Sequence, residues 1–308
     1  MKFNIPSKFQ PFPVYYNTNS DFSTKALTFE SIGNTTVCLS GGSGSLEKNP
    51  ITMYYKKTGD ASFNSYTVGT TISLSNGETV SFSGTTDVFS KVSGTPTSKT
   101  YGCYKFYTGG AGTLKLYGNV NSLINSTTIL SYLHNGVFYN LFNDCQNIID
   151  ASNFVLPYMD LTWECYTQMF NACYSLTSAP LLPATGMASG CYNGMFQYCS
   201  SLLSAPVLPA TDTTWGCYKY MFTNCKKLNA IDVNFTTWRS GTDKFTDWVY
   251  GVSGNGTFYK PTALPISTGY DYIPTGWTVV NKDATEPLTF ESLVDNNTVR
   301  IAKTGNPY

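Results

Sequence analysis

The chain has 308 residues, 12% of them charged, and 19 acidic residues balance 19 basic ones. This balance gives no basic surface for nucleic acid or for an anionic membrane, so we expect no nucleic-acid partner and no membrane insertion. No run approaches the roughly 18 apolar residues that a membrane span needs. The 23 tyrosines are typical of binding surfaces, although a tyrosine-rich β protein with nothing to bind has the same composition.

The first 25 residues favour an extended arm. Three prolines interrupt this segment, and each removes a backbone donor that a helix or a central strand would use. The segment also lacks the apolar run of a signal peptide, which favours a protein that is not exported by the usual route. We expect residues 1–25 to dock on a partner through aromatic side chains: Phe3, Phe9, Phe12, Tyr15 and Tyr16.

Residues 26–100 carry the alternating apolar and polar pattern of β-strands. Within residues 71–80, the Asn76-Gly77 pair suits a tight turn and predicts a hairpin. We therefore expect an antiparallel, β-sandwich-like module over residues 26–100, followed by an entry or cap segment over residues 101–136.

A repeat of 26 residues occupies the middle of the chain. Its three best copies, residues 165–173, 191–199 and 217–225, align without gaps, and each begins and ends with cysteine around a central Met-Phe pair. The period is in the range of solenoids, and weaker copies lie on both sides, as expected for coils that cap a stack. We expect a small solenoid over residues 137–238 and a C-terminal cap over residues 239–284.

Each copy predicts a short helix followed by a short strand. Apolar residues recur at i, i+4, i+5 and i+8, which indicates one helix face, and the prolines that follow favour irregular parallel strands. We expect structural thiols and no metal or cofactor, because the sequence has no Cys-x-x-Cys pair. The predicted core columns are Cys165, Cys173, Cys191, Cys199, Cys217, Cys225, Phe170, Phe196 and Phe222.

The motif Met-Phe-x-x-Cys-x-Ser-Leu-x-x-Ala-Pro-x-Leu-Pro-Ala-Thr resembles the BspA-like, Treponema-type leucine-rich repeats of Bacteroidetes surface proteins and of their phages, including crAss-like phages. The resemblance covers residues 27–308. It implies a mostly β protein with short helices, in which a small leucine-rich-repeat solenoid is flanked by antiparallel β modules. It also implies adhesion or display, with no fixed ligand.

A longer repeat relates the two ends of the chain. Residues 27–37 return at residues 288–299 with one inserted residue. We therefore expect residues 285–308 to be the start of a second, incomplete β module, and the natural chain or its assembly to continue past Tyr308. The alternative is that this end swaps into a neighbouring copy.

Residues suited to catalysis are few. His134 is the only histidine and has no motif around it, so serine-triad and zinc-protease schemes lack support. Asp160 and Glu164 are the only close acidic pair in the repeats, and glycoside hydrolysis needs two acids that flank one cleft. We therefore expect a protein without enzymatic activity.

Positions that differ between the copies are expected to form the surface. Trp163 and Trp215 occupy one column two coils apart, and exposed aromatic residues of this kind stack on sugars or anchor a protein partner. The alternative is that each tryptophan fixes the entry to its coil. The candidate ligand surface comprises Trp163, Gln168, Tyr174, Trp215, Tyr220, Lys226 and Lys227.

The leading hypothesis is a phage virion surface protein, either a head or tail fibre or a capsid decoration. Its expected partners are other virion proteins through residues 1–25, a host-surface glycan or protein, and further copies of the chain, with a trimer favoured. A bacterial cell-surface adhesin of the BspA-like type is the alternative, and a glycan-active enzyme is the third hypothesis.

Overall fold

The computed structural model describes residues 25–41, 51–85, 89–95, 98–124, 133–238, 245–282, 288–291 and 298–301. Over these residues the chain is mostly β, as predicted, with antiparallel and mixed sheets and one short 3-10 helix, Val120–Leu123. This described part includes no helix with the length and hydropathy of a bilayer span. The predicted docking residues lie outside it: Phe3, Phe9, Phe12, Tyr15 and Tyr16.

Sixteen strands, numbered in chain order, make up the described sheets. Ten precede the repeats: β1 (Leu27–Ile32), β2 (Thr35–Gly41), β3 (Met53–Lys57), β4 (Asn64–Tyr66), β5 (Thr71–Leu74), β6 (Thr79–Gly84), β7 (Lys91–Thr95), β8 (Ser98–Gly102), β9 (Tyr104–Gly110) and β10 (Thr113–Asn119). Two lie within the repeats, β11 (Ile148–Val155) and β12 (Ala230–Asp232), and four come after residue 252: β13 (Thr257–Lys260), β14 (Thr278–Asn281), β15 (Leu288–Glu291) and β16 (Thr298–Ile301).

The N-terminal module consists of two facing sheets, with strand orders β11-β10-β1-β6-β3-β4 and β5-β2-β9. Phe29 and Phe82 of the larger sheet contact Phe106 of the smaller one, with ring centroids 4.9 and 5.0 Å apart. The predicted hairpin at Asn76-Gly77 is wrong, because β5 pairs with β2 whereas β6 pairs with β1 and β3. The turn forms there, but it carries the chain from one sheet to the other.

Strand pairing continues past residue 100, where the first module was expected to end. β9 pairs with β2, and β10 pairs with β1. On its other side β10 pairs in parallel with β11, the first strand after the start of the repeats. One sheet therefore runs from the N-terminal module into the repeat region, and one hydrophobic core spans both.

The repeats contact one another through a series of turns. Within a repeat, alternate N–H groups donate three residues back, as Met169 does to the Tyr166 carbonyl (3.2 Å). The groups between them donate to the next repeat, as Tyr166 does to Cys191 (3.0 Å). We call these stacked segments the turn ladder: residues 136–145, 164–173, 190–199, 216–225 and 245–252. Both sets of bonds satisfy backbone groups of a buried segment.

The helix predicted for each copy is wrong. Every fourth residue of the ladder has a left-handed backbone, with φ of 55° at Glu164, 54° at Gln168 and 58° at Ala172. An α-helix requires negative φ throughout and hydrogen bonds to the fourth residue back. A turn period of four residues places apolar side chains at i, i+4 and i+8, as a helix of 3.6 residues per turn nearly does. The sequence pattern therefore fits both structures.

Aromatic columns fill the core of the stack. Phenylalanine rings of successive repeats lie 5.1–5.9 Å apart from Phe106 to Phe222, and Trp248 follows at 6.1 Å. A second column, absent from the predicted core, consists of buried tyrosines spaced 5.9 and 6.2 Å apart: Tyr166, Tyr192 and Tyr218.

The repeat cysteines are buried, and none of the nine cysteines forms a disulfide. The second cysteine of each copy donates its thiol hydrogen to a phenylalanine carbonyl of the preceding copy. Cys199 Sγ lies 3.1 Å from the Phe170 oxygen, and Cys225 Sγ lies 3.0 Å from that of Phe196. Cysteine at this position is therefore both a small apolar filler and a donor between repeats.

On the side of each repeat away from the turn ladder, neighbouring repeats pair in parallel, and the extent of pairing depends on the prolines there. Near Pro180 and Pro206 the pairing is reduced to isolated bridges, Asp150 with Ser178 and Leu208 with Val233, because proline has no N–H for a ladder. Regular parallel strands form where proline is absent, in β12, β13 and β14. Isolated bridges therefore stand where the sequence predicted short, irregular strands.

The turn ladder extends beyond residue 238, into the segment expected to be the cap. Phe222 N–H donates to the Trp248 carbonyl (2.8 Å), as earlier copies donate to theirs. Residues after the last ladder segment, 245–252, then cover the end of the ladder, where Trp248 Nε1 donates to the Tyr272 carbonyl (2.8 Å). Further along, β15 and β16 pair antiparallel.

Candidate binding surfaces on the stack

The structure separates the predicted ligand residues into two groups. Four lie half-buried along the turn ladder: Trp163, Gln168, Trp215 and Tyr220. Three lie exposed where the chain leaves the ladder: Tyr174, Lys226 and Lys227. The predicted core cysteines and phenylalanines are all fully buried, so the variable and the constant positions occupy different environments.

The tryptophan column sits at the entry to the ladder. Glu164 N–H donates to the Ser189 carbonyl (3.1 Å), and Gly190 N–H donates to that of Trp215 (2.9 Å). These bonds align Trp163, Ser189 and Trp215 in successive repeats, with the small serine between the two large rings. Both tryptophans are half-buried, and this burial suits the alternative that they fix the entry to each coil.

The acidic pair does not form a hydrolytic cleft. Glu164 is fully buried, whereas Asp160 is exposed. The carboxylate of Asp160 instead lies against Gly186 of the next repeat, where an added Cβ would be 1.9 Å from Oδ1. The arrangement serves packing between repeats, and over the described residues no three His, Cys, Asp or Glu side chains group as metal ligands.

Gln168 and Tyr220 share one left-handed column with Gly194 between them. Gln168 Oε1 accepts a hydrogen bond from the Tyr139 hydroxyl (3.3 Å), and Lys219 Nζ lies 5.1 Å from the centre of the Tyr220 ring. These contacts hold both side chains along the ladder surface, so they contribute shape and polarity to that face.

Four exposed tyrosines lie along the last turns of the ladder segments or in the segments that follow them. We call this surface the tyrosine edge and define it as Tyr174, Tyr198, Tyr250 and Tyr270, with Lys226 and Lys227. The tyrosines are 42%, 41%, 45% and 60% exposed, respectively. Such side chains offer apolar faces and a hydroxyl to a ligand at a low cost in conformational entropy.

Hydrogen bonds between neighbouring repeats join the segments that carry these tyrosines. Tyr198 N–H donates to Thr223 (2.8 Å), and Asn224 N–H donates to Tyr250 (2.7 Å). The Ser200 hydroxyl donates to the Tyr174 carbonyl (3.4 Å), so a hydrogen bond also joins the segments that follow Cys173 and Cys199. At the far end the rings of Tyr250 and Tyr270 are 4.8 Å apart, nearly perpendicular.

Sequence reasoning missed three of the four edge tyrosines. Tyr198 lies in a column whose other members are Ala172 and Asn224, and that variation between copies was a usable signal. Tyr250 required recognition of a fifth coil in which Trp248 and Val249 replace the Met-Phe pair. Tyr270 comes from the closing segment, and its position follows only from the fold.

No match exists between this chain and any family model, curated protein or solved structure in the comparisons made. The candidate surfaces therefore rest on their own geometry.

Proposed function

We propose that this protein is a non-enzymatic surface protein of a phage virion, a head or tail fibre or a capsid decoration, which adheres to a glycan or protein on the host. In this proposal the stacked repeats are a small leucine-rich-repeat solenoid of the BspA-like type. The 26-residue spacing and the backbone hydrogen bonds between successive copies support that assignment.

The observation that carries the proposal is the tyrosine edge. The stack buries the phenylalanine and tyrosine columns completely, yet four tyrosines along one edge stay 41–60% exposed. Aromatic side chains on a rigid support are suited to binding because little conformational entropy is lost on contact. Lys226 and Lys227 add donors for hydroxyl or carboxylate groups of a ligand.

A glycan array with the full chain tests this proposal. We expect binding to one class of surface glycan, and we expect Tyr198→Ser combined with Tyr250→Ser to weaken it at least about tenfold, because aromatic anchors dominate such interfaces. Tyr107→Ser is the matched control, since Tyr107 is 43% exposed but belongs to β9 in the N-terminal module. Equal loss in the control, or no binding on the array, would count against a glycan-binding edge.

The bacterial-adhesin alternative shares the same edge and differs in location. Under the virion proposal, residues 1–25 dock on other virion proteins, and the chain assembles as a trimer. Deletion of residues 1–25 should abolish incorporation into particles, whereas light scattering should still show three copies. Normal incorporation of the shortened chain would contradict the docking arm. The third hypothesis, a glycan-active enzyme, gains no support from the Asp160 and Glu164 pair, because Glu164 is buried whereas Asp160 is exposed.

A further inference from the structure

A polar groove lies on the outer face of the six-stranded sheet, where the N-terminal module meets the repeats. Its volume is about 270 Å³. It is lined by Lys25, Glu30, Lys115, Leu116, Tyr117, Asp150 and Asn153. These residues come from three adjacent strands, β1, β10 and β11, and from the segment just before β1. Ligand sites occur preferentially at junctions of this kind.

Irregular pairing between β10 and β11 creates the groove. The register shifts twice, so that Lys115 pairs with Asp150 and Tyr117 pairs with Asn153. Lys115 and Tyr117 are two residues apart and share a face, whereas Asp150 and Asn153 are three apart and would face opposite ways in a regular strand. Bulges of this type re-aim side chains and are over-represented beside functional sites.

The burial pattern of β11 shows the result of the two shifts. Ile148, Ala151 and Phe154 point into the core at intervals of three residues. Asp150 and Asn153 are therefore both on the outer face. Glu30 of β1 pairs with Lys115 of β10. The outer face therefore carries a row of Glu30, Lys115 and Asp150 across three strands.

The chemistry of the lining favours an uncharged, hydroxyl-rich ligand. Two lysines and two carboxylates cancel in charge, so the groove attracts neither anions nor cations as a class. Donors and acceptors alternate across it, and the Asp150 carboxylate is held in place by the Ser152 N–H (2.9 Å). The half-buried ring of Tyr117 supplies an apolar wall, and burial, with the nearby Glu30 carboxylate, raises the pKa of its hydroxyl.

We propose that this groove binds one neutral sugar residue of a glycan, at a site separate from the tyrosine edge. Carboxylate and amide groups of Asp150, Asn153 and Glu30 accept and donate hydrogen bonds to ring hydroxyls, and the Tyr117 ring packs against a carbon face of the sugar. The volume of about 270 Å³ is just below the range of pockets that hold drug-sized ligands, and it suits a single ring.

Saturation-transfer NMR with the full chain and a panel of free neutral monosaccharides tests the site: glucose, galactose, mannose, fucose, N-acetylglucosamine and N-acetylgalactosamine. We expect transfer to at least one of them. Asp150→Asn and Glu30→Gln keep the side-chain shape, and each should weaken binding about tenfold, because hydrogen bonds to a charged acceptor are stronger than those to a neutral one. Tyr117→Phe should retain most of the affinity, since the ring remains.

Asp60→Asn is the matched control, because the Asp60 carboxylate also accepts a backbone N–H, from Lys57 (2.9 Å), in the connection between β3 and β4 at the opposite end of the sheet. The affinity of the Asp60→Asn variant for the monosaccharide should equal that of the unmodified chain. No transfer to any monosaccharide would overturn the proposal. Transfer that survives Asp150→Asn and Glu30→Gln but is lost in the Tyr198→Ser, Tyr250→Ser variant would place the sugar at the tyrosine edge and overturn the groove alone.

Discussion

The N-terminal module and the stack pack the same kinds of side chain in different ways. In the module the rings meet at steep angles, 90° between Phe29 and Phe82 and 58° between Phe29 and Phe106. In the stack the rings lie nearly parallel, 3° apart between Phe196 and Phe222. A translational repeat forces each ring to have the same surroundings as the last, whereas the two facing sheets fit unlike side chains together. The regular packing of the stack therefore follows from its repeated sequence, whereas the module has no such regularity.

Phe106 belongs to both arrangements and shows how they join. It is tilted against Phe29, but it stacks on Phe142 at 5.6 Å and 16°. Its carbonyl accepts the thiol hydrogen of Cys145 (3.1 Å), as the phenylalanine carbonyls of the stack accept theirs. Strand β9 therefore acts as the first level of the stack, and the module caps the repeats.

Alkaline pH should separate the two regions most strongly, because seven buried cysteines lie in the stack: Cys145, Cys165, Cys173, Cys191, Cys199, Cys217 and Cys225. Burial raises the pKa of Cys145, Cys165 and Cys217 to about 12, from 9.0, and raises that of the others too. Below pH 9 the thiols are neutral in both the folded and the unfolded state, so they do not change the free energy of unfolding with pH. Between pH 9 and 12 only the unfolded state ionises, and each thiol lowers the free energy of unfolding by about 1.4 kcal/mol per pH unit.

Seven such thiols together approach the whole stability of a typical domain within one to two pH units. We expect the stack to unfold at about pH 10. Tryptophan fluorescence can monitor this unfolding, because all five tryptophans lie from Trp163 to Trp277. In the variant that combines Cys199→Ala with Cys225→Ala, the free energy of unfolding should fall less steeply as the pH rises. A transition with the same slope in that variant would show that the thiols do not control it.

Truncation of a stacked ring should have the next largest effect. Phe196 is fully buried between Phe170 and Phe222, so Phe196→Ala leaves a cavity that a regular stack closes poorly. We expect a loss of about 3–5 kcal/mol in the free energy of unfolding, measured by urea denaturation. Phe63→Ala, at an exposed ring of the module, should change it by less than about 0.5 kcal/mol. A loss below about 1 kcal/mol at Phe196 would mean that neighbouring repeats collapse onto the gap.

The sequence was sufficient for the columns of the stack but not for its backbone. Repetition at 26 residues reveals which positions are equivalent, and equivalence alone predicts that Phe170, Phe196 and Phe222 share one environment. It does not distinguish a helix from a series of turns, because both give apolar spacing of about four. The left-handed φ at Gln168 and Ala172 has no sequence signature, since neither residue is glycine.

The surfaces were harder to predict for a different reason. Tyr174, Lys226 and Lys227 followed from variation between copies, whereas the groove depends on two register shifts between β10 and β11. Those shifts bring Asp150 and Asn153 to one face although their spacing predicts opposite faces. Such a site arises from pairing between distant segments, and no local pattern contains it.

The smallest expected effect has opposite signs in the turn ladder and in strand β11, which lies at the edge of the module's six-stranded sheet. Ala172 in the ladder has a φ of 58°, and glycine adopts that conformation without the steric cost of a Cβ, so Ala172→Gly should raise the free energy of unfolding by about 1 kcal/mol. Ala151 is a buried residue of strand β11, where glycine adds entropy to the unfolded chain and removes packing, so Ala151→Gly should lower it by about 1 kcal/mol. Urea denaturation of both variants measures the contrast. If Ala172→Gly is destabilising as well, the left-handed turns are not what distinguishes the stack from the module.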